Sequence, residues 1–413
     1  MAATKPFAQR APEKQLGERE MIVLMALLMS LQAFGIDAML PALGEMADEM
    51  GAGGNDRQLV ISYYFLGAGI RAFFPGAFAD RFGRRPVLAV GLIAYIVLSL
   101  GCAIVTDFWV LVGMRIVQGV CCAGLSVVPA AIVRDHVGGD RMARLMSLIM
   151  MIFLLVPILA PAIGQGIMML LGWRAIFGAM ALMGLIVGIW TWVRLPESLA
   201  PENVQEIDPP TILRNMWQAL TVRGSIGYVI GSALVFGSLF GFLNSSQQLI
   251  GEAFGMGDYF AIIFGGAVVG MVVANFTNSR IVERFGARRV GHTALLAFIV
   301  ISGVLWWSAH NQPQSLTEFV ILLSLNMAML GFIGSNFSSI AMQPFGHIAG
   351  AASSAHTALR MGTGAVLGAF IGYLYDGTAE PLALSMVACG LVGLGFILFS
   401  ERGRLFRRPN APV

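Results

Sequence analysis

The sequence predicts an all-α integral membrane protein whose twelve transmembrane helices form two pseudo-symmetric six-helix bundles. Three observations predict it. Hydrophobic residues make up 57% of the 413-residue chain and charged ones 12%, with a mean hydropathy of +0.77, more apolar surface than one water-soluble core can hide. Apolar runs of spanning length recur between short charged segments, and a hydrocarbon core of roughly 30 Å needs about 20 such residues per crossing. Finally, Asp80-Arg81-Phe82-Gly83-Arg84-Arg85 reappears as Glu283-Arg284-Phe285-Gly286-Ala287-Arg288-Arg289, with Gly83 and Gly286 203 residues apart, close to half the chain.

Residues 1–20 form a polar segment of mixed charge, and the apolar run from Met21 lacks the short core and small-residue cleavage site of a secretory signal, so it reads as the first helix. Helices are expected at 21–43, 59–79, 86–106, 108–130, 144–170 and 173–195, then at 224–250, 259–279, 290–310, 316–341, 350–374 and 381–400. The halves are therefore 21–195 and 224–400. Between them 196–223 carries Pro196, Pro201, Pro209 and Pro210, a linker composition that neither spans a membrane nor favours a long helix. A basic tail, 401–413, closes the chain.

Lys and Arg set the expected orientation, because cytoplasmic loops retain them. One side holds Lys5, Arg10, Lys14, Arg19, Arg81, Arg84, Arg85, Arg134, Arg141, Arg144, Arg194, Arg214, Arg223, Arg280, Arg284, Arg288, Arg289 and the tail arginines up to Arg408, whereas the opposite loops hold Arg57 and Arg174. Both termini are expected in the cytoplasm. The basic residues sit in loops without interleaved aromatics, which excludes a nucleic-acid surface. Cys102, Cys121, Cys122 and Cys389 fall inside apolar runs without metal-ligand spacing and read as packing residues. No Walker loop, cofactor fingerprint or metal cluster appears, so neither an enzyme nor an ATP-driven pump is expected; no cofactor is needed, and an ion gradient must supply the energy.

Four motifs carry mechanism. In the first, Gly76 to Pro86, Asp80 ends a helix, Gly83 permits a tight turn, and Arg81, Arg84 and Arg85 face headgroups and neighbouring helix ends. The second is Asp37, the one acid deep in an expected span, within Gly35-Ile-Asp37-Ala-Met-Leu-Pro41. In the third, Arg115-Ile-Val-Gln118-Gly119, an intramembrane arginine costs roughly 2.5–3.5 kcal/mol and needs a partner or water. At about 1.5 Å per residue Asp37 lies roughly 24 Å above Met21 and Arg115 roughly 28 Å above Arg134, so a direct or water-bridged pair is geometrically allowed. The fourth, Pro157 to Gly166 with Pro161 and Gly164, combines kinking prolines with close-packing glycine.

Other residues carry less specific signals. Arg71, about 13 Å into the second helix, has three open readings: snorkelling, pairing with Asp37, or repelling cationic substrate. The second half has no deep acid and reads as nearly charge-free within its spans, but offers Asn244, Gln247, Asn275, Asn326 and Asn336 as cavity lining or as helix-to-helix contacts. Phe34, Tyr63, Arg71, Gln118, Asn244, Asn275 and Asn336 are the candidate cavity residues.

These motifs resemble the major facilitator superfamily, and within it the bicyclomycin/chloramphenicol-resistance (Bcr/CflA) type of drug:proton antiporter. Gly172-Trp173-Arg174 and Pro344-Phe-Gly346-His347-Ile-Ala-Gly350 are similar to that group as well. The resemblance implies the major facilitator fold, a lock in which Asp80 faces the start of the eleventh helix near Ser353 and Ser354, and Arg84 bridging Asp80 and Asp135. It implies that Arg115 assists proton transfer, that proton and a cationic or neutral drug compete for Asp37, and that Pro157, Pro161 and Gly164 belong to an antiporter signature found in exporters. Gln165 departs from that signature, where a second glycine is usual. The implied protein is a monomer in the bacterial cytoplasmic (inner) membrane that exchanges protons for small amphipathic molecules, as in multidrug efflux and antibiotic resistance. Two alternatives stay open: a proton symporter importing a metabolite, and a ligand sensor that does not transport.

Overall fold

A computed structural model of the chain describes residues 16–407 apart from 72–74, 123, 138, 201–203, 205–207 and 312–313. Lys5, Arg10, Lys14, Pro201 and Arg408 lie outside the described residues.

Hydrocarbon offers no partner for backbone N–H and C=O, so apolar runs must close their hydrogen bonds internally, as helices. In the first half, α1 (Glu18–Asp37) and α2 (Leu43–Glu49) form one run, α3 (Leu59–Arg71) and α4 (Pro75–Phe82) the second, and α5 (Arg84–Ile104) the third. The fourth joins α6 (Phe108–Cys121) to α7 (Gly124–His136), the fifth α8 (Gly139–Phe153) to α9 (Val156–Leu171), and α10 (Arg174–Arg194) is the sixth. The linker carries α11 (Pro209–Thr221). The second half runs α12 (Arg223–Gln247), α13 (Phe260–Phe285), α14 (Ala287–His310), α15 (Leu316–Met342), α16 (Ala349–Tyr373) and α17 (Glu380–Ser400). These make the twelve-span fold. Among the described residues ten of the runs are long and apolar enough to cross a membrane.

Three spans are broken where single uninterrupted helices are expected. The first halts after Asp37 and passes through a 3-10 turn, Leu40–Ala42, around Pro41, reaching Glu49 rather than ending at residue 43. The fifth breaks at Leu154 and Leu155, because Pro157 at the start of α9 has no N–H and its ring opposes the carbonyl four residues back. The fourth breaks at Cys122, whose carbonyl accepts the Gln32 side-chain amide from α1. The linker also differs: 209–221 is helical, since Pro209 and Pro210 occupy the first turn, where no backbone donor is needed. Its apolar side, with Met216 and Ala219, covers Ala352 and Ala355 of α16.

The outward faces match a lipid solvent. Val90, Ile93, Val97, Leu100 and Ile104 are exposed at three- and four-residue steps along α5, while Leu88, Leu92, Tyr95, Ser99 and Cys102 are buried on its other side. The repeated turn is structural too. Gly83 and Gly286 take φ of +99° and +85°, a region that favours glycine, and each directly precedes a helix.

Candidate functional site

The first bundle is organised round Arg115, which is fully buried. Gly67 and Gly119 bring α3 and α6 into backbone contact: a Cβ at either would lie 2.3 Å from a carbonyl oxygen of the other helix. The close crossing lets the guanidinium reach α1 and α3 together. It donates to Gly35 O at 2.9 Å, Val60 O at 3.5 Å and Gln118 Oε1 at 2.6 Å, and lies 4.4 Å from the Tyr64 ring centroid. Gln118 in turn donates to Ser99 Oγ at 3.0 Å.

Asp37 ends α1 two residues beyond Gly35, at 7% exposure, and carries no ion pair among the described residues. The direct charge pair with Arg115 is thus not made here, because backbone carbonyls and an amide take the arginine's donors. The backbone just past Asp37 rests on the fifth span. A Cβ on Gly164 would lie 1.8 Å from Ala38 O, so only glycine lets α9 approach the end of α1 this closely. Pro161 is inside α9 and Pro157 begins it, placing the kink and the close contact on one helix.

Gln165 bridges the two bundles. Its amide donates to Gly257 O at 2.9 Å and Asp258 O at 3.0 Å, and its oxygen accepts from Ala261 N at 3.1 Å, at the first turn of α13. It belongs to a seam of polar contacts at the face that carries Arg57. Arg57 donates to Gln247 Oε1 at 3.0 Å and pairs with Glu252 at 2.5 Å; Gln58 donates to Gln248, and Gln248 to Asn55 Oδ1 at 2.8 Å. Asn55 also donates to the carbonyls of Tyr373 and Tyr375, each at 3.1 Å, and Asn244 to Ser62 Oγ at 2.8 Å. The second half meets this seam through a π-helical turn, Gln248–Ala253, which continues α12.

Among the described residues the ion pairs at the arginine-rich face each join groups of one half. Arg84 pairs with Asp80 at 2.5 Å and Asp135 at 2.9 Å, and Glu197 accepts from the Arg84 and Arg85 N–H groups at 2.9 and 3.0 Å, capping α5. Among the described residues Asp80 makes no hydrogen bond to Ser353 or Ser354. Arg81 and Gly76 flank this cluster on α4, and Arg85 donates to Trp192 O at 2.8 Å. In the second half Arg288 pairs with Glu401 at 2.8 Å, and Tyr228 donates to Glu401 at 2.6 Å.

The other expected cavity residues divide. Gln118 and Asn336 are buried and bonded to neighbouring helices, Gln118 to Ser99 Oγ and Asn336 to Asn278 Oδ1 at 2.7 Å. Asn275 accepts from Ser335 at 2.9 Å, joining α13 to α15, and Asn244 belongs to the seam. Phe34 is buried and Tyr63 half-buried. Arg71 is the last residue of α3, and its side chain lies outside the described residues. The second half is not charge-free either. Arg360 lies halfway along α16, lining a cavity of about 160 Å³ with His356, Thr357 and Ser353 of that helix, Ser232 of α12 and Ser338 of α15. Attention to acids alone passed over it, although an arginine in the run 350–374 is as visible in the sequence as Arg115.

The Major Facilitator Superfamily model matches residues 25–369. A bicyclomycin resistance protein homolog of Haemophilus influenzae is 28% identical over 374 residues, covering 90% of this chain and 94% of its own. The multidrug resistance protein MdtL of Salmonella paratyphi C is 31% identical over 335 residues, 79% of this chain and 81% of its own. Among solved structures, a bacterial homolog of the human lysosomal transporter Spinster superposes with a TM-score of 0.70 at 14% identity, covering 94% of this chain and 97% of its own. The xylose transporter XylE of E. coli gives 0.69 at 16% identity, covering 92% and 97%. The chain is therefore a multi-pass membrane transporter that belongs to the Major Facilitator Superfamily, and within it to the bicyclomycin-resistance (Bcr/CflA) type.

Proposed function

We propose that the chain is a proton-coupled antiporter exporting small amphipathic organic molecules by alternating access, as a monomer in the bacterial cytoplasmic membrane. The observation that carries the reading is Asp37: a buried carboxylate with no ion pair among the described residues, at a helix break and against the Gly164 contact. Such a carboxylate can take up a proton from one side and release it to the other as access alternates, with Arg115 of α6 bound to the Gly35 carbonyl two residues before it. Names of relatives connected with bicyclomycin and multidrug resistance support drugs as cargo.

The arginine distribution supports a cytoplasmic location for the Arg-rich face and both termini. With the bundles joined at the Arg57 seam, this state is inward-facing. The Asp80 lock to the start of α16 would form when the bundles rock the other way, with Arg84, held between Asp80 and Asp135, presenting the acid.

Asp37→Asn tests the reading in proteoliposomes that carry an imposed pH gradient. Proton-driven efflux of chloramphenicol should fall at least tenfold while Tm and insertion are retained. Unchanged efflux in the variant would sink the assignment of Asp37, and accumulation of proton and solute together would favour a symporter.

A further inference from the structure

We infer that the second bundle holds a subsite for the anionic group of an amphipathic organic acid, a carboxylate or sulfonate seated on Arg360. The inference rests on the transporter reading, whose substrate class it narrows. Arg360 is a mid-span cation with no ion pair among the described residues, and its Nε is buried without a hydrogen-bond partner. The side chain is half-buried, and a guanidinium within a span is costly unless something meets it; here the described neighbour is an aromatic face, the Phe236 ring of α12, centroid 5.3 Å away. The acids of α12 to α17 stand at helix ends, so the bundle supplies no carboxylate at this depth.

The cavity beside it supplies what an anion needs. Ser353, His356, Thr357 and Arg360 recur at three- and four-residue steps, one face of α16, and Ser232 and Ser338 add hydroxyls from two other helices. His356 lines the same cavity and is held by a hydrogen bond to the Ala219 backbone. The guanidinium fork matches a carboxylate bidentately, the Thr357 and Ser338 hydroxyls face the remaining lone pairs while Ser232 donates to Val229 O at 2.9 Å, and Val229, Ala341 and Met342 give the ligand's body an apolar wall. Arg115 differs in each respect, being fully satisfied by protein. The cavity runs from Arg360, halfway along α16, towards the arginine-rich face, where Met342 ends α15.

The test uses the purified full chain in nanodiscs of zwitterionic lipid and three probes with one apolar body: 2-naphthoate, 2-naphthamide and 2-naphthylmethylammonium. Radiolabelled 2-naphthoate should bind at least tenfold tighter than the other two compete. Arg360→Met should weaken it at least tenfold with Tm unchanged or raised, because an uncompensated mid-span charge is gone, while Arg360→Lys should retain part of the affinity. Should Arg360→Met fail to fold, Thr357→Val should weaken 2-naphthoate about threefold or more. Equal affinity for the three probes, or undiminished 2-naphthoate binding in the variants, overturns the subsite. Displacement by inorganic phosphate alone would reduce it to a general anion site, and displacement by phosphatidylglycerol in the disc would make it a lipid site; either result rejects the organic-acid assignment. Binding needs no proton flux, so failure here leaves the Asp37 test intact, and failure there leaves this one intact.

Discussion

Each bundle holds an arginine deep within a span, Arg115 fully buried and Arg360 half-buried, and the two are treated oppositely. Arg115 has α1, α3 and α6 converging on it, with two carbonyls, an amide and an aromatic face. Arg360 faces a cavity, with an unpartnered Nε and hydroxyls placed round the space beside it. A satisfied buried charge holds helices in register, whereas an unsatisfied one raises the energy of the empty state and is relieved by a ligand. The first bundle therefore reads as a rigid frame for Asp37, and the second as a receptive wall.

The largest expected effect sharpens that contrast. Arg115→Met strands the Gly35 and Val60 carbonyls and the Gln118 side-chain oxygen, and each buried acceptor left unpaired costs about 1–3 kcal/mol. Thermal unfolding in detergent should show Tm lowered by about 3–6 °C, opposite in sign to the unchanged or raised Tm of Arg360→Met. If both variants lost stability alike, Arg360 would be structural cement and the contrast would collapse.

Gly164 gives the next effect. Gly164→Ala places a methyl 1.8 Å from Ala38 O, and the helices must separate to admit it. Overpacking of this sort costs about 1–3 kcal/mol. Because the displaced backbone immediately follows Asp37, proton-driven efflux should fall more than stability does; full efflux at reduced Tm would make the contact one of packing only. Gly166, which has open space round a Cβ, is the control, and Gly166→Ala should change neither reading.

The spans, the bundle repeat and the deep charges were legible because lipid tolerates so few exceptions. A lone Asp37 or Arg115 in an apolar run stands out in any reading of the sequence, and so did the turn at Gly83, where charge and glycine recur at half-chain spacing. The neutral polar residues were not legible. Gln32, Gln58, Gln165 and Gln248 differ in sequence by nothing that tells a helix cap from a seam, since their roles depend on which distant carbonyl or amide rotation brings opposite them. Gln165 looked like a blemish in a glycine motif, yet it caps the first turn of α13 from the other bundle. Glu197 was hidden similarly: a linker acid becomes the cap of α5 only after the chain returns past six helices. The break after Asp37 was signalled by Pro41, but its consequence, a carboxylate at a frayed helix end, needed the neighbouring Gly164 to be seen.

The smallest effect concerns the seam where frame and wall meet. Arg57 and Glu252 form a partly exposed pair, with side chains 14% and 46% accessible, and such pairs contribute about 0.2–1 kcal/mol. Arg57→Ala should therefore leave Tm within about 1 °C, yet the same energy shifts the ratio of two nearly balanced conformations up to about fivefold. Spin labels at Gly53 on one bundle, where a Cβ meets open space, and at the exposed Tyr259 on the other report the separation by double electron–electron resonance. A longer-distance population should grow in Arg57→Ala, and grow further when Gln165→Leu removes three more bonds across the seam. An unchanged distance distribution in the double variant would mean that the apolar contacts beneath, such as Phe65 on Phe240 with centroids 4.2 Å apart, hold the bundles together unaided. The polar seam would then tune only the register in which frame and wall meet.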